Sequence, residues 1–249
     1  MMLRWGAAAV AACLLGGCSS AGDGRDHDPA NQPGYALPGQ DSPARTTSHS
    51  VRGAAGPGTD RATFELVNGS DVVRVHAADL GGDLFRVSTP DNAKVAPAVN
   101  VSDTTVVAAL HATGQPGPAV VDVQLSDDVR WNVRLAGGAG DESVDLTGGA
   151  GGDVDFAAGT SRASVALPAA SGTQRVVMSG GANQLLVRLA GTAPVRVAAG
   201  GGASAVTVDG ATHTGVAGGS VWTPTDWAAA TNRFDVAATA GVSSLTVER

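Results

Sequence analysis

An all-β fold, built as a β-solenoid of short strands joined by glycine-rich turns, is predicted for the larger part of this chain. Three observations predict it. From Ala62 onward apolar and polar residues alternate with a period of two, the mark of strands with one buried face. The leading apolar residues Val133, Val144, Val154, Val165, Val176 and Val187 follow one another in steps of ten or eleven residues. Glycine supplies 35 of 249 residues, about twice its usual share, while aromatics make up only 4%. Small side chains and frequent corners suit thin, stacked sheets and leave too little bulk for a thick helical core. The absence of a Gly-X-Y period excludes collagen.

The chain opens with a leader. Arg4 provides a short positive region and residues 6–15 an apolar run too short to span a bilayer as a helix. The run ends in Leu15-Gly16-Gly17-Cys18. A hydrophobic residue, two small residues and a cysteine form the recognition pattern of bacterial lipoprotein signals. The small residues admit the peptidase, and the Cys18 thiol accepts a diacylglycerol. Residues 1–17 are therefore expected to be removed as a lipoprotein signal peptide. The matured chain would be held by acyl chains at ~0.8 kcal/mol per buried methylene. The only other cysteine, Cys13, leaves with the leader. No disulfide framework, cysteine-based metal site or thiol nucleophile is then available downstream.

Residues 18–61 are expected to form the lipidated cysteine and a disordered tether. Proline, glycine, serine and aspartate dominate, with almost no apolar periodicity. Such a composition does not offset its own ordering entropy. A flexible coil of this length spans roughly 35–40 Å on average.

Residues 62–249 carry the repeat-rich β-domain. Apolar pairs recur at Val133/Leu135, Val144/Leu146, Val154/Phe156, Val165/Leu167, Val176/Met178, Val187/Leu189, Val195/Val197, Val206/Val208 and Leu245/Val247. Gly137-Gly138, Gly148-Gly149, Gly180-Gly181 and Gly200-Gly201 separate the strands. Two strands per coil give a rung of about 21 residues. A β-sandwich is the alternative, above all for residues 62–135. Asn68-Gly69, a strong hairpin signal, lies between Phe64–Val67 and Val72–Val75. Ser126-Asp127-Asp128 would likewise make a hairpin of its two flanking strands.

The run Arg130-Trp131-Asn132-Val133-Arg134-Leu135-Ala136-Gly137-Gly138-Ala139-Gly140 carries a resemblance. So do the closing segments Arg233-Phe234-Asp235-Val236 and Ala240-Gly241-Val242-Ser243-Ser244-Leu245-Thr246-Val247. They resemble the adhesin-like, repeat-rich β-domains of bacterial envelope proteins and the C-terminal domain of LiaF-type cell-wall-antibiotic response proteins. The resemblance covers residues 62–249. It implies a β-helix-like stack with a role in adhesion or envelope-stress response, and it carries over no catalytic residue.

Candidate chemistry is sparse. Gly148-Gly149-Ala150-Gly151-Gly152-Asp153 matches the first six positions of a calcium-binding nonapeptide, but its eighth position is Asp155 where an apolar residue belongs. The preceding glycine pair lies eleven residues back, against a required nine. Asp145 and Asp155 point outward, yet one rung of 21 residues beyond them stand Ala166 and Val176. No ladder of paired acids for glycoside chemistry results. His76, His111 and His213 are isolated, and no nucleophile elbow or phosphate loop occurs. A formal charge of −7 without a basic cluster argues against nucleic acid as a partner.

The expectation is a non-enzymatic cell-envelope lipoprotein on the extracytoplasmic face of the membrane. It would present a scaffold domain to cell-wall polymer or an envelope protein, with no catalytic residue, metal or cofactor. The alternative is a polysaccharide-acting enzyme on a β-solenoid. Trp222 and Trp227, in an otherwise aromatic-poor domain, mark either an interaction loop or a cap over the end of the stack.

Overall fold

The alternating valines and leucines need a partner sheet to bury them, and the near-constant step supplies one at every turn of the chain. In the computed structural model, described for the backbone of residues 45–47 and for residues 49–249, strands of successive coils pair in parallel. Each coil places one strand in each of two facing sheets, around a single hydrophobic core. The expected leader, Cys18 and most of the expected tether lie outside the described residues.

Twenty strands lie among the described residues. The first six are β1 (Arg45–Thr47), β2 (Ser50–Ala54), β3 (Arg61–Leu66), β4 (Ser70–Ala78), β5 (Asp83–Ser88) and β6 (Val95–Ser102). Then come β7 (Thr105–Ala112), β8 (Val120–Ser126), β9 (Arg130–Leu135), β10 (Ala139–Asp145), β11 (Gly152–Phe156), β12 (Thr160–Leu167), β13 (Thr173–Met178) and β14 (Ala182–Leu189). The chain closes with β15 (Val195–Ala199), β16 (Ala203–Val208), β17 (Ala211–Val216), β18 (Ser220–Trp222), β19 (Arg233–Ala238) and β20 (Val242–Glu248).

Nine strands form one sheet in the order β18-β15-β19-β13-β11-β9-β3-β7-β6. Eleven form the other in the order β1-β2-β5-β8-β4-β10-β12-β14-β20-β16-β17. The central coils keep the expected rung: Val133 pairs with Val154, 21 residues on, and Val154 with Val176, 22 residues on. All six leading valines are buried.

Order along the stack differs from order along the chain at both ends. The β3–β4 coil is an interior rung, because β7–β8 stacks outside it before β9 returns to its other side. At the far end β19–β20 inserts between β13–β14 and β15–β16. Antiparallel strands cover both ends, with β5 and β6 at one and β17 and β18 at the other. Open hydrophobic rungs are thereby closed, as stacked folds require.

Two local expectations are corrected. Asn68-Gly69 is an arc from one sheet into the other, and β3 and β4 do not pair with each other. Ser126-Asp127-Asp128 likewise connects β8 and β9 across the two sheets, so neither segment is a hairpin. Residues 45–47 and 50–54, assigned by composition to the tether, are strands. β2 pairs with β5 and buries Val51, so tertiary pairing overrides the local polarity of Ser50-Val51-Arg52-Gly53-Ala54.

Candidate functional site

The corners between the two sheets build a broad, open concavity. Six arcs of three residues each end in a glycine: Gly69, Gly138, Gly159, Gly181, Gly202 and Gly241. The arcs stack so closely that a Cβ on Gly138 would lie 2.7 Å from the Gly159 carbonyl oxygen. The middle positions alternate along the stack as Asn68, Gly137, Ala158, Gly180, Ala240 and Gly201. A Cβ on Gly137 would come within 1.9 Å of the Asn68 carbonyl carbon, so every second arc requires glycine there. Ladder hydrogen bonds continue through the corners; Ser70 N–H donates to Gly138 O at 3.1 Å and Thr160 N–H to Gly181 O at 3.1 Å.

Past each arc glycine the chain runs in, out, out, in. The first residue faces the core, the next two face solvent, and the fourth is buried. The first outward position carries Ser161, Asn183, Ser243 and Ser204 on four consecutive coils. With strands ~4.8 Å apart, this row of hydroxyl and amide groups extends roughly 14 Å. It edges an open trough of about 800 Å³ floored by arc backbone. The trough offers hydrogen-bond donors and acceptors at a regular spacing and no charge.

The broad sheet faces are laced with ion pairs between neighbouring coils. On the nine-stranded sheet Arg134 pairs with Glu65 at 3.4 Å and with Asp155, and Arg196 pairs with Asp235 at 2.7 Å. On the other sheet Arg162 grips Asp141, holding that carboxyl below the usual range, and Arg188 meets Glu248 at 2.9 Å. Lys94 and the Ala119 N–H do the same for Asp71. Exposed pairs of this kind contribute at most about 1 kcal/mol each.

Asp145 and Asp155 lie on the outer faces of opposite sheets, so they do not form an acid pair. Asp145 pairs with Ala166 as expected, whereas the 22-residue rung brings Val177, not Val176, beside Asp155. Asp153 accepts a hydrogen bond from Arg175 N–H at 2.9 Å and does not converge with other acids. Among the described residues no group of three or more His, Cys, Asp or Glu side chains is placed to hold a metal ion. His76 lies 3.9 Å from Asp122, His213 stands against Trp222, and His111 is exposed on β7.

Trp222 packs partly against the core at the end of the stack. Trp227 lies between the guanidinium groups of Arg196 and Arg233, each 4.6 Å from its ring, and its indole N–H donates to Phe234 O at 2.7 Å. Leu15, Gly16, Gly17 and Cys18 lie outside the described residues.

Glu142 escapes the reading of the sequence. Its position, fourth after the arc glycine, is aliphatic in the other five coils: Val73, Ala163, Leu185, Val206 and Leu245. Glu142 is 2% exposed, and its carboxylate oxygens have no hydrogen-bond partner. Burial pushes the carboxyl up to about 8; the nearby Thr160 hydroxyl, which could oppose this, donates instead to Arg162 O at 3.1 Å. Aligning the coils on their arc glycines is the signal that reveals it.

No family model matches the chain. No curated protein matches it either. Among solved structures it is similar to a "putative cell adhesion protein" from Clostridium sporogenes. The identity is 16%, covering 80% of this chain and 98% of that one, with a TM-score of 0.57. A "putative adhesin" from Bacteroides fragilis aligns at 11% identity over 76% of this chain and 93% of that one, with a TM-score of 0.23. The first likeness shows a shared fold.

Proposed function

We propose that this chain is a non-enzymatic, lipid-anchored protein of the cell envelope whose β-stack serves as an adhesion and scaffold module. The arc trough carries the reading. A row of uncharged hydrogen-bonding side chains, one per coil over a backbone floor, suits an extended polymer lying across the coils. The Leu15-Gly16-Gly17-Cys18 leader supports attachment to the outer face of the membrane. The fold shared with a "putative cell adhesion protein" is consistent with adhesion. Cell-wall polymer is the ligand class proposed.

The test uses the full-length protein purified from membranes in detergent and co-sedimented with purified cell-wall polymer. Asn183→Tyr and Ser243→Tyr place rings in the trough from exposed positions. The wild type is expected to sediment with the polymer. The double variant is expected to lose at least about tenfold in affinity, or ~1.4 kcal/mol, while its urea midpoint stays unchanged. Failure of the wild type to sediment, or equal binding by the folded variant, overturns the proposal.

A further inference from the structure

We propose that the cavity between Arg61 and Arg130, on the nine-stranded sheet, is a binding site for an oxyanion group, phosphate or carboxylate. The inference stands independently of the trough. Parallel register sets Arg61 beside Arg130 on adjacent strands, and like charges placed side by side on a sheet oppose each other. Elsewhere on this sheet the ladder pairs arginine with a carboxylate, as at Arg134 and Arg196.

Between the two arginines lies a cavity of about 240 Å³, lined by Thr63, Thr104, Asn132 and Asp153 as well. Arg130 is held in place. Its guanidinium donates to Ser171 O at 2.9 Å and to Thr173 O at 3.0 Å, and its side chain is only 17% exposed. Two backbone carbonyls leave part of the five-donor guanidinium unused. Arg61 is exposed and makes no ion pair with a carboxylate among the described residues. Thr63, Thr104 and Asn132 add uncharged polar residues to the lining.

Asp153 is the one carboxylate lining the cavity, and its charge is already engaged. It accepts from Arg175 N–H at 2.9 Å, sits 3.7 Å from the Arg175 guanidinium and lies 4.0 Å from Arg130. Neighbouring Asp60 lines a different cavity, on the loop side. A planar or tetrahedral oxyanion in the cavity would supply the negative charge that this pair of neighbouring arginines lacks in the ladder and accept hydrogen bonds from their guanidinium groups, the geometry for which arginine is suited.

Calorimetric titration of the full-length protein at pH 7, in phosphate-free buffer of low ionic strength, tests the site. Inorganic phosphate is one titrant and glucuronate the other. Saturable binding of either anion is expected, and the stronger one identifies the chemical source. Arg61→Gln should weaken that binding at least tenfold. Arg188→Gln, on the opposite sheet and paired with Glu248, should leave it unchanged. Urea midpoints within error of wild type exclude misfolding of Arg61→Gln, and Arg61→Lys should recover part of the affinity. Absence of saturable binding for both anions, or equal binding by the folded Arg61→Gln protein, overturns the site. So does an equal loss in Arg188→Gln.

Discussion

Replacing Glu142 by leucine should remove a pH dependence built into the core. The carboxyl is buried without a hydrogen-bond partner and titrates near 8, against an ordinary value of 4.5. Between those two values the folded protein retains a proton that the unfolded chain releases. Stability therefore falls as pH rises through this window, by about 1.4 kcal/mol per unit. Below 4.5 both states are protonated and the group contributes nothing; above about 8 the loss is complete, on the order of 5 kcal/mol in all. At pH 7 the cost is about 3 kcal/mol, a sizeable part of the 5–15 kcal/mol that typically holds a domain together. Leucine is the residue that Leu185 and Leu245 place at the same position in other coils. Urea unfolding of both proteins, followed by tryptophan fluorescence at pH 5, 6, 7, 8 and 9, measures the difference. Asp71 and Asp141, whose carboxyls are held low by Lys94 and Arg162, add stability that is lost as pH falls below 4. They do so in both proteins and cancel. The gap between the curves should widen from pH 5 to 8 and then level. Parallel curves would refute the assignment of Glu142 as a buried, neutral acid.

Other consequences concern the corners, the tryptophan loop and the anchor. Gly137→Ala, whose new Cβ would meet the Asn68 backbone at 1.9 Å, should cost about 3 kcal/mol or more by overpacking. Gly148→Ala, 3.6 Å from its nearest neighbour, should be close to neutral in the same urea titration. Trp227→Ala loses one hydrogen bond and two cation–π contacts. It should lower stability by about 2 kcal/mol and leave polymer binding by the folded protein unchanged. Cys18→Ala should abolish incorporation of a labelled fatty-acid analogue, whereas equal labelling of both proteins would end the lipoprotein proposal.

The in-and-out register was legible because it depends on local alternation: Val133, Val144, Val154 and Val165 are buried where a period of two puts them. The rung length was legible for the same reason, since Asp145 does stand beside Ala166. Stacking order was not. Insertion of β19–β20 inside β15–β16 is decided by contacts between residues 60 and 39 positions apart, as Val176 and Val197 each pair with Val236. Asn68-Gly69 misled because an arc and a hairpin both need a tight corner, and only the partner strands distinguish them. The trough lay half-hidden in the glycine pairs, which marked corners but not that the corners align. The arginine cavity was hidden completely, because Arg61 and Arg130 become neighbours only through a 69-residue register.

Hydrogen exchange of the full-length protein, measured by mass spectrometry with and without purified cell-wall polymer, tests the adhesion reading most directly. The reading predicts added protection at the arcs and the residues just past them, residues 159–161, 181–183, 202–204 and 241–243, which together line the trough. The two broad sheet faces and the Trp227 loop should be unaffected. Protection centred on the Trp222–Trp227 segment, or no change anywhere in the presence of polymer, would contradict it.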